Sequence, residues 1–318
     1  MQAVPRRRLA HLQRLAQHSA ERRKAGQFLI EGAVLVGDAL DAGLRVIEVL
    51  LEESRAGAAE KAVVARARDG GATYLEVAEE ALARIGASVT PPPLLAVAEI
   101  PGQHNLSEAN NVLGLLSETG VSVGEGFEDG ETKVSATELA NATELTSEGF
   151  SLAAVEIADP SNAGALLRCA EGAGVSEVIF VGNCVDPWGP KVVRSSAGSV
   201  FRLPPRREPD VAAFLQGLQE TGRQVVATAS NRGNPYYEFS YNKGAVILVG
   251  NETRGLPEVA EANVTDWIQI PLAGGVESLN VAMAASVICF EAARQMAAKQ
   301  MDAEQIDTEQ IELRGAVQ

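Results

Sequence analysis

Three short stretches in the C-terminal half of this 318-residue chain combine polar side chains with glycine in a way that can hold a ligand. The first is Asp159-Pro160-Ser161-Asn162-Ala163-Gly164, with Arg168 following. The second is Gly250-Asn251-Glu252-Thr253-Arg254-Gly255, directly after the apolar run 245–249. The third starts at Ile270-Pro271, crosses Gly274-Gly275 and reaches Ser278-Leu279-Asn280, ahead of a long run of small and apolar residues. None offers a nucleophile with a base beside it. The three histidines fall in the N-terminal third, and Cys169, Cys184 and Cys289 show no CxxC spacing, so hydrolytic chemistry lacks a base and no metal site is expected. What the stretches offer is positioning. Arg168 carries a planar, permanently charged fork suited to phosphate, and the glycines allow backbone turns closed to other residues. Taken singly, Ser278 and Asn280 are explained first as caps of a helix start, while Asn162 as a cap and Glu252 as a helix-start acid are explained as well that way as by a site role.

The elements that must position these residues alternate. Apolar runs predict strands over 152–157, 178–181, 224–229, 245–249 and 268–270, the last ended by Pro271, which has no N–H for a ladder. Between them lie predicted helices over 164–172 and 210–221, a loop with a short helix over 183–199, and a buried helix from Asn280 onward. Such a series predicts an α/β domain with an open, mostly parallel sheet and ligands beyond the carboxyl ends of its strands. The absence of G-x-G-x-x-G argues against a dinucleotide-binding version of it.

The first hundred residues read as a second, smaller α/β unit. A strand precedes Glu31, a helix covers 31–42, strands cover 46–51 and 73–77 around a helix over 57–69, and another strand covers 94–100 after Pro91-Pro92-Pro93. The expected domains are therefore 1–101, an acidic flexible linker over 102–150, 151–301, and an acidic tail over 302–318. No stretch of eighteen apolar residues free of charge occurs, so no membrane span is expected, and the cysteine usage predicts reduced core thiols in a cytoplasmic protein.

The net charge of −15 does not suit a phosphate-rich partner until it is resolved along the chain. Residues 104–150 hold nine acids and one lysine, and residues 302–318 hold five acids and one arginine, leaving only −3 for the rest. Residues 1–25 hold seven basic side chains and one glutamate around Leu9, Leu12 and Leu15, which predicts a basic amphipathic helix. A solvated helix face and an RNA phosphate contact explain it equally well.

In this order, the three stretches resemble the signature motifs of the SpoU (TrmH-like) family of RNA 2'-O-ribose methyltransferases in the SPOUT superfamily. The residues carrying the likeness are Asn162-x-Gly164-x-x-x-Arg168, then Gly250-Asn251-Glu252-x-x-Gly255, then Ile270-Pro271 with Ser278-Leu279-Asn280. The first hundred residues resemble the L30e-like RNA-binding domain that precedes many SpoU domains. Leu272, Ala282 and Cys169 stand where Met, Ser and Thr are common, which removes no polar motif residue.

The resemblance implies a C-terminal domain tied in a deep trefoil knot, and S-adenosylmethionine held by backbone near Thr228, Ala229, Gly250, Ile270 and Leu279. It implies Arg168 as the catalytic arginine, Asn162, Glu252, Ser278 and Asn280 as residues orienting it, the ribose or the phosphate, and a homodimer through the catalytic domain. No metal is called for. The expected substrate is RNA, with 23S ribosomal RNA ahead of tRNA. A non-catalytic RNA-binding assembly factor on the same fold is the rival from another class, and a ribosome-protecting resistance methyltransferase is a further variant.

Overall fold

The computed structural model describes residues 5–86, 90–102 and 149–315, with side chains as far as Met301. The acidic linker expected over 102–150 lies outside these residues apart from its ends. The chain forms two compact units, one up to Leu145 and one from Thr146.

In the first unit the single basic helix expected over residues 1–25 is two helices, α1 (Arg6–Gln17) and α2 (Ser19–Ala25), separated by His18 in extended conformation. Packing explains the break. Leu12 and Leu15 of α1 are fully buried, and the chain has to turn there to deliver the first strand to the sheet. Arg22, itself only 4% exposed, folds back beneath α1 and donates from Nη1 to the carbonyls of Leu15 (2.5 Å) and Ala16 (3.2 Å). It thereby satisfies acceptors that a helix end leaves open. Arg8 pairs with the buried Glu48. Two of the seven basic residues are thus structural, while Arg6, Arg7, Arg14, Arg23 and Lys24 remain exposed.

The unit continues through β1 (Gln27–Glu31), α3 (Ala33–Asp41), β2 (Val46–Leu51), α4 (Ala58–Asp69), β3 (Thr73–Glu76), α5 (Glu79–Ile85) and β4 (Leu94–Glu99). The sheet order is β1-β4-β2-β3. The last strand in sequence occupies the interior, antiparallel to both β1 and β2. Helices α1 and α5 close one core with Leu29, Leu50 and Leu95.

The second unit runs β5 (Phe150–Val155), α6 (Pro160–Gly172), β6 (Glu177–Val181), α7 (Pro190–Ser195), α8 (Ser199–Arg202), β7 (Arg206–Glu208), α9 (Val211–Glu220) and β8 (Val225–Ala229). It ends with β9 (Asn234–Pro235), β10 (Ala245–Val249), α10 (Glu258–Glu261), β11 (Asp266–Gln269) and α11 (Val281–Gly315). The sheet order is β7-β6-β5-β10-β8-β11-β9, and every pairing in it is parallel. All residues of β5 and β10 are buried, as expected of strands covered on both faces.

Helix α6 starts at Pro160, four residues before the predicted start, because Asp159 caps it. Its Oδ1 accepts from the amides of Ser161 (2.8 Å) and Asn162 (2.9 Å), and Pro160 supplies the fixed φ of a first helical residue. Helix α6 packs on α7 so closely that a Cβ on Gly164 would lie 2.0 Å from Ser195 Oγ and 2.7 Å from the Ser195 carbonyl carbon.

Helix α11 continues to Gly315, through most of the segment set apart as an acidic tail. Its portion Val281–Met301 is long and apolar enough to cross a membrane by length and composition. Yet Ala285, Ile288, Cys289 and Ala292 are buried, and the helix packs on α6 and β10. The three cysteines are free and buried, and burial pushes the Cys184 thiol up to about 11, which makes it a poor nucleophile.

Replacing Gly164 by alanine forces α6 and α7 apart. Urea denaturation is expected to show a loss of about 1–3 kcal/mol, the usual cost of overpacking, while Gly217→Ala, where a Cβ meets open space, shows no loss.

Candidate functional site

The carboxyl ends of four adjacent strands, β5, β10, β8 and β11, point their following loops into one region. The loop after β5 leads into α6, the loop after β10 is the Gly250–Gly255 turn, the loop after β8 begins at Ser230, and the loop after β11 leads to α11. Between them lies a cavity of about 890 Å³. This is the location expected for a ligand in an open parallel sheet.

Nine of the ten residues singled out from the sequence line this cavity. Thr228 and Ala229 come from β8, Gly250 and Glu252 from the turn after β10, and Asn162 from α6. Ile270, Ser278, Leu279 and Asn280 come from the segment between β11 and α11. Arg168 is the exception. It is exposed on α6, lies outside the cavity lining, and has no hydrogen-bond or ion-pair partner among the described residues.

The turn after β10 folds tightly onto itself at the cavity wall. A Cβ on Gly250 would lie 2.5 Å from the Gly255 carbonyl carbon, so no side chain fits there. Asn251 and Gly255 exchange backbone hydrogen bonds at 2.9 Å, and Gly255 takes φ +69°, which favours glycine. Asn251 Oδ1 accepts from the amides of Thr253 and Arg254 at 3.0 Å each, and its Nδ2 donates to the Glu156 carbonyl at 2.9 Å. Asn251, not picked out as a site residue from sequence, therefore stitches this turn to the loop after β5. Glu252 lies in the turn, well before α10, so of its two readings from sequence the helix-start acid is set aside.

Three motif side chains form a chain across the cavity edge. Asn162 Nδ2 donates to Glu252 Oε1 at 2.8 Å, and Asn280 Nδ2 donates to Asn162 Oδ1 at 2.8 Å. Asn280 Oδ1 in turn accepts from the amides of Ala282 (2.9 Å) and Met283 (3.4 Å) at the start of α11. The two ends set the polarity. An ionised carboxylate only accepts and a helix N-terminus only donates, so both amides are locked in one flip state. Asn280 is thus a helix cap and a site residue at once. Asn162 is not a cap, since Asp159 fills that role. Each amide keeps one N–H, and Glu252 keeps Oε2, for other partners.

The cavity wall also contains Arg232, Glu261 and Trp267, which the sequence did not single out. The Arg232 guanidinium lies 3.4 Å from the Trp267 ring centroid and pairs with Glu261 at 2.9 Å. Their pairing joins the loop after β8 to α10 and β11, and no local sequence pattern signals it. Among the described residues no group of His, Cys, Asp or Glu could hold a metal ion.

Comparison with known proteins agrees with this geometry. The sequence model of the SpoU rRNA methylase family matches residues 149–290, and that of the MRM3-like substrate-binding domain matches residues 7–96. A 23S rRNA (guanosine(2553)-2'-O)-methyltransferase of Bacillus subtilis is 28% identical over 85% of this chain and 90% of its own length. An uncharacterized tRNA/rRNA methyltransferase of Synechocystis sp. is 37% identical over 43% of this chain, which spans 50% of that protein. The crystal structure of an AdoMet-bound rRNA methyltransferase from Sinorhizobium meliloti superposes with a TM-score of 0.69 at 26% identity, covering 92% of this chain and 97% of that one. With both segments matched and the motif residues gathered around one cavity, the chain carries a SpoU rRNA methylase family domain over residues 149–290, with an MRM3-like substrate-binding domain ahead of it over residues 7–96.

Proposed function

We propose that this protein is an S-adenosylmethionine-dependent RNA 2'-O-ribose methyltransferase acting on 23S ribosomal RNA in the cytoplasm. The observation that carries the reading is the convergence of the three motif loops on a single cavity, tied together by the Glu252–Asn162–Asn280 chain. The cavity fits the cofactor. Its volume of about 890 Å³ lies within the range of small-molecule sites, and the backbone at Gly250, Ile270 and Leu279 supplies neutral donors and acceptors suited to a nucleoside. When bound, S-adenosylmethionine supplies a methyl group on an electrophilic sulfonium.

The rest falls to the chain. A ribose hydroxyl is a weak nucleophile, so rate comes from alignment, for which on the order of 7–11 kcal/mol is available. The free N–H groups of Asn162 and Asn280 hold oxygens of the sugar or its phosphate, and Glu252 fixes them without rotating. Arg168, a guanidinium too basic to act as a free base, grips phosphate. The exposed Arg6, Arg7, Arg23 and Lys24 give the substrate-binding domain phosphate contacts of its own. The assignment to 23S rRNA draws on the names of the relatives, among them the B. subtilis enzyme.

The same reading includes a homodimer and the knotted chain path of the family. Met283, Val287 and Phe290 recur on one face of α11 and are 63%, 37% and 53% exposed. Phe290 borders α6, its ring 3.6 Å from where a Cβ on Gly172 would lie. An exposed apolar stripe of this kind favours burial against a second copy. A contact there lies beside the helix that carries Arg168, and delivers Arg168 to the partner's cavity.

Three outcomes test the reading. Mass spectrometry of rRNA from cells with and without the gene is expected to show one 2'-O-methyl group missing from 23S rRNA in the deletion; unchanged 23S rRNA with an altered tRNA moves the substrate to tRNA, and no change in either defeats the activity. Asn280→Asp keeps a good helix cap but removes the donor to Asn162. Its melting temperature should stay within a few degrees of wild type while kcat falls about 100-fold, as for loss of one oriented donor. Finally, Arg168→Ala and Asn280→Asp proteins, each nearly inactive, should recover on the order of a quarter of wild-type rate when refolded together, because half of a symmetric mixture carries one intact composite site. No recovery places Arg168 in the service of its own chain's cavity.

A further inference from the structure

One wall of the cavity is charged, and the motif residues do not account for it. Arg232 is the only Lys or Arg among the residues lining the cavity, and Glu261 is its ion-pair partner at 2.9 Å. Neither is held loosely. Gly233, at φ +99°, lies flat against β11, where a Cβ would come within 2.3 Å of the Trp267 carbonyl carbon. Gln269 Nε2 donates to the Gly233 carbonyl at 2.9 Å. The guanidinium is stacked on Trp267 at 3.4 Å. A cation fixed by a ring face and a carboxylate gives up less freedom when it takes a further ligand. Both side chains keep open surface, 46% for Arg232 and 42% for Glu261, so the pair retains hydrogen-bonding edges toward the cavity.

Resting on the cofactor reading above, we propose that Arg232 and Glu261 receive the amino-acid end of S-adenosylmethionine, guanidinium to α-carboxylate and carboxylate to α-ammonium. Outside its nucleoside the cofactor carries a zwitterion, whose complement is a cation and an anion side by side. Arg232 with Glu261 is such a pair on this wall, a cation and an anion 2.9 Å apart. Arg232 is also three residues after Ala229, on the loop whose start lines the same cavity. The neutral backbone of the other loops then takes the adenosine, and the charged wall fixes which way round the ligand lies.

Calorimetry on the full chain tests this with two probes, S-adenosylhomocysteine and 5'-deoxy-5'-methylthioadenosine, which share the nucleoside thioether and differ in the amino acid. Wild type should bind the first more tightly. Arg232→Gln should weaken S-adenosylhomocysteine about 10- to 100-fold, the worth of one charge-assisted hydrogen bond, and leave methylthioadenosine unchanged, which also shows that the cavity is folded. Glu261→Gln should act in the same direction with a smaller loss. Equal weakening of both probes, or of neither, overturns the assignment. So does an Arg232→Gln protein that binds both probes normally but has a reduced, salt-sensitive affinity for RNA, since the guanidinium then serves phosphate. If wild type binds neither probe, the cofactor reading fails and this proposal falls with it.

Discussion

The second unit depends on a line of hydrogen bonds that is short in space and long in sequence. Glu252, Asn162 and Asn280 come from three different segments, with Asn162 and Asn280 118 positions apart in sequence, yet each amide meets its neighbour at 2.8 Å. A carboxylate at one end and the open N–H groups of α11 at the other allow one arrangement of donors and acceptors. The loops are therefore registered against each other by polarity as well as by packing. Breaking any link leaves a donor or acceptor without its partner at the edge of an open cavity, where geometry suffers more than stability.

That line forms only because the sheet brings its members together. With every pairing parallel, all strand ends of one kind lie on one side, and the order β5-β10-β8-β11 makes neighbours of loops distant in the chain. Close approach is then secured by glycine. Gly164 lets α6 touch α7, Gly250 lets the turn after β10 fold onto itself, and Gly233 lets the loop after β8 lie on β11. At each place a methyl group would collide with backbone, so what a sequence reader sees as motif glycine is the absence of a side chain that has no room.

Much of this was legible in the residues, for identifiable reasons. Fully buried parallel strands leave unbroken apolar runs, so the strand at 245–249 was placed without error and the one at 152–157 to within two residues. Nine of ten site residues fell on one cavity because they sit in glycine-bearing turns at strand ends, which resembled known motifs. What failed was tertiary. The N-terminal helix looked continuous because its leucines keep period, and only the burial of Arg22 under α1 shows why it breaks at His18. The early start of α6 was signalled by Asp-Pro, a cap followed by a first-turn proline, whereas the sequence reading began the helix at Gly164 and weighed Asn162 as a cap against a site role. Arg232, Trp267 and Glu261 belong to separate elements and carry no spacing at all. Nor does periodicity report which apolar residues of α11 face the core and which face outward.

The position of Arg168 has a physical logic of its own. A cavity meant for a sulfonium gains from nearby carboxylate and loses from a mobile guanidinium pointed at the same atom. The structure keeps the two apart within one chain: Glu252 lines the cavity, and Arg168 stands exposed on α6 outside the cavity lining. Arg232, the one cation on the wall, is restrained by Trp267 and neutralised by Glu261. In the proposed dimer, a phosphate-gripping arginine supplied from a second copy would meet the ligand only along the path of the RNA, where its charge would face phosphate and not the methyl donor. On the proposed reading, segregating the two cations in this way would permit one site to bind a positively charged donor and a negatively charged polymer without either interaction weakening the other.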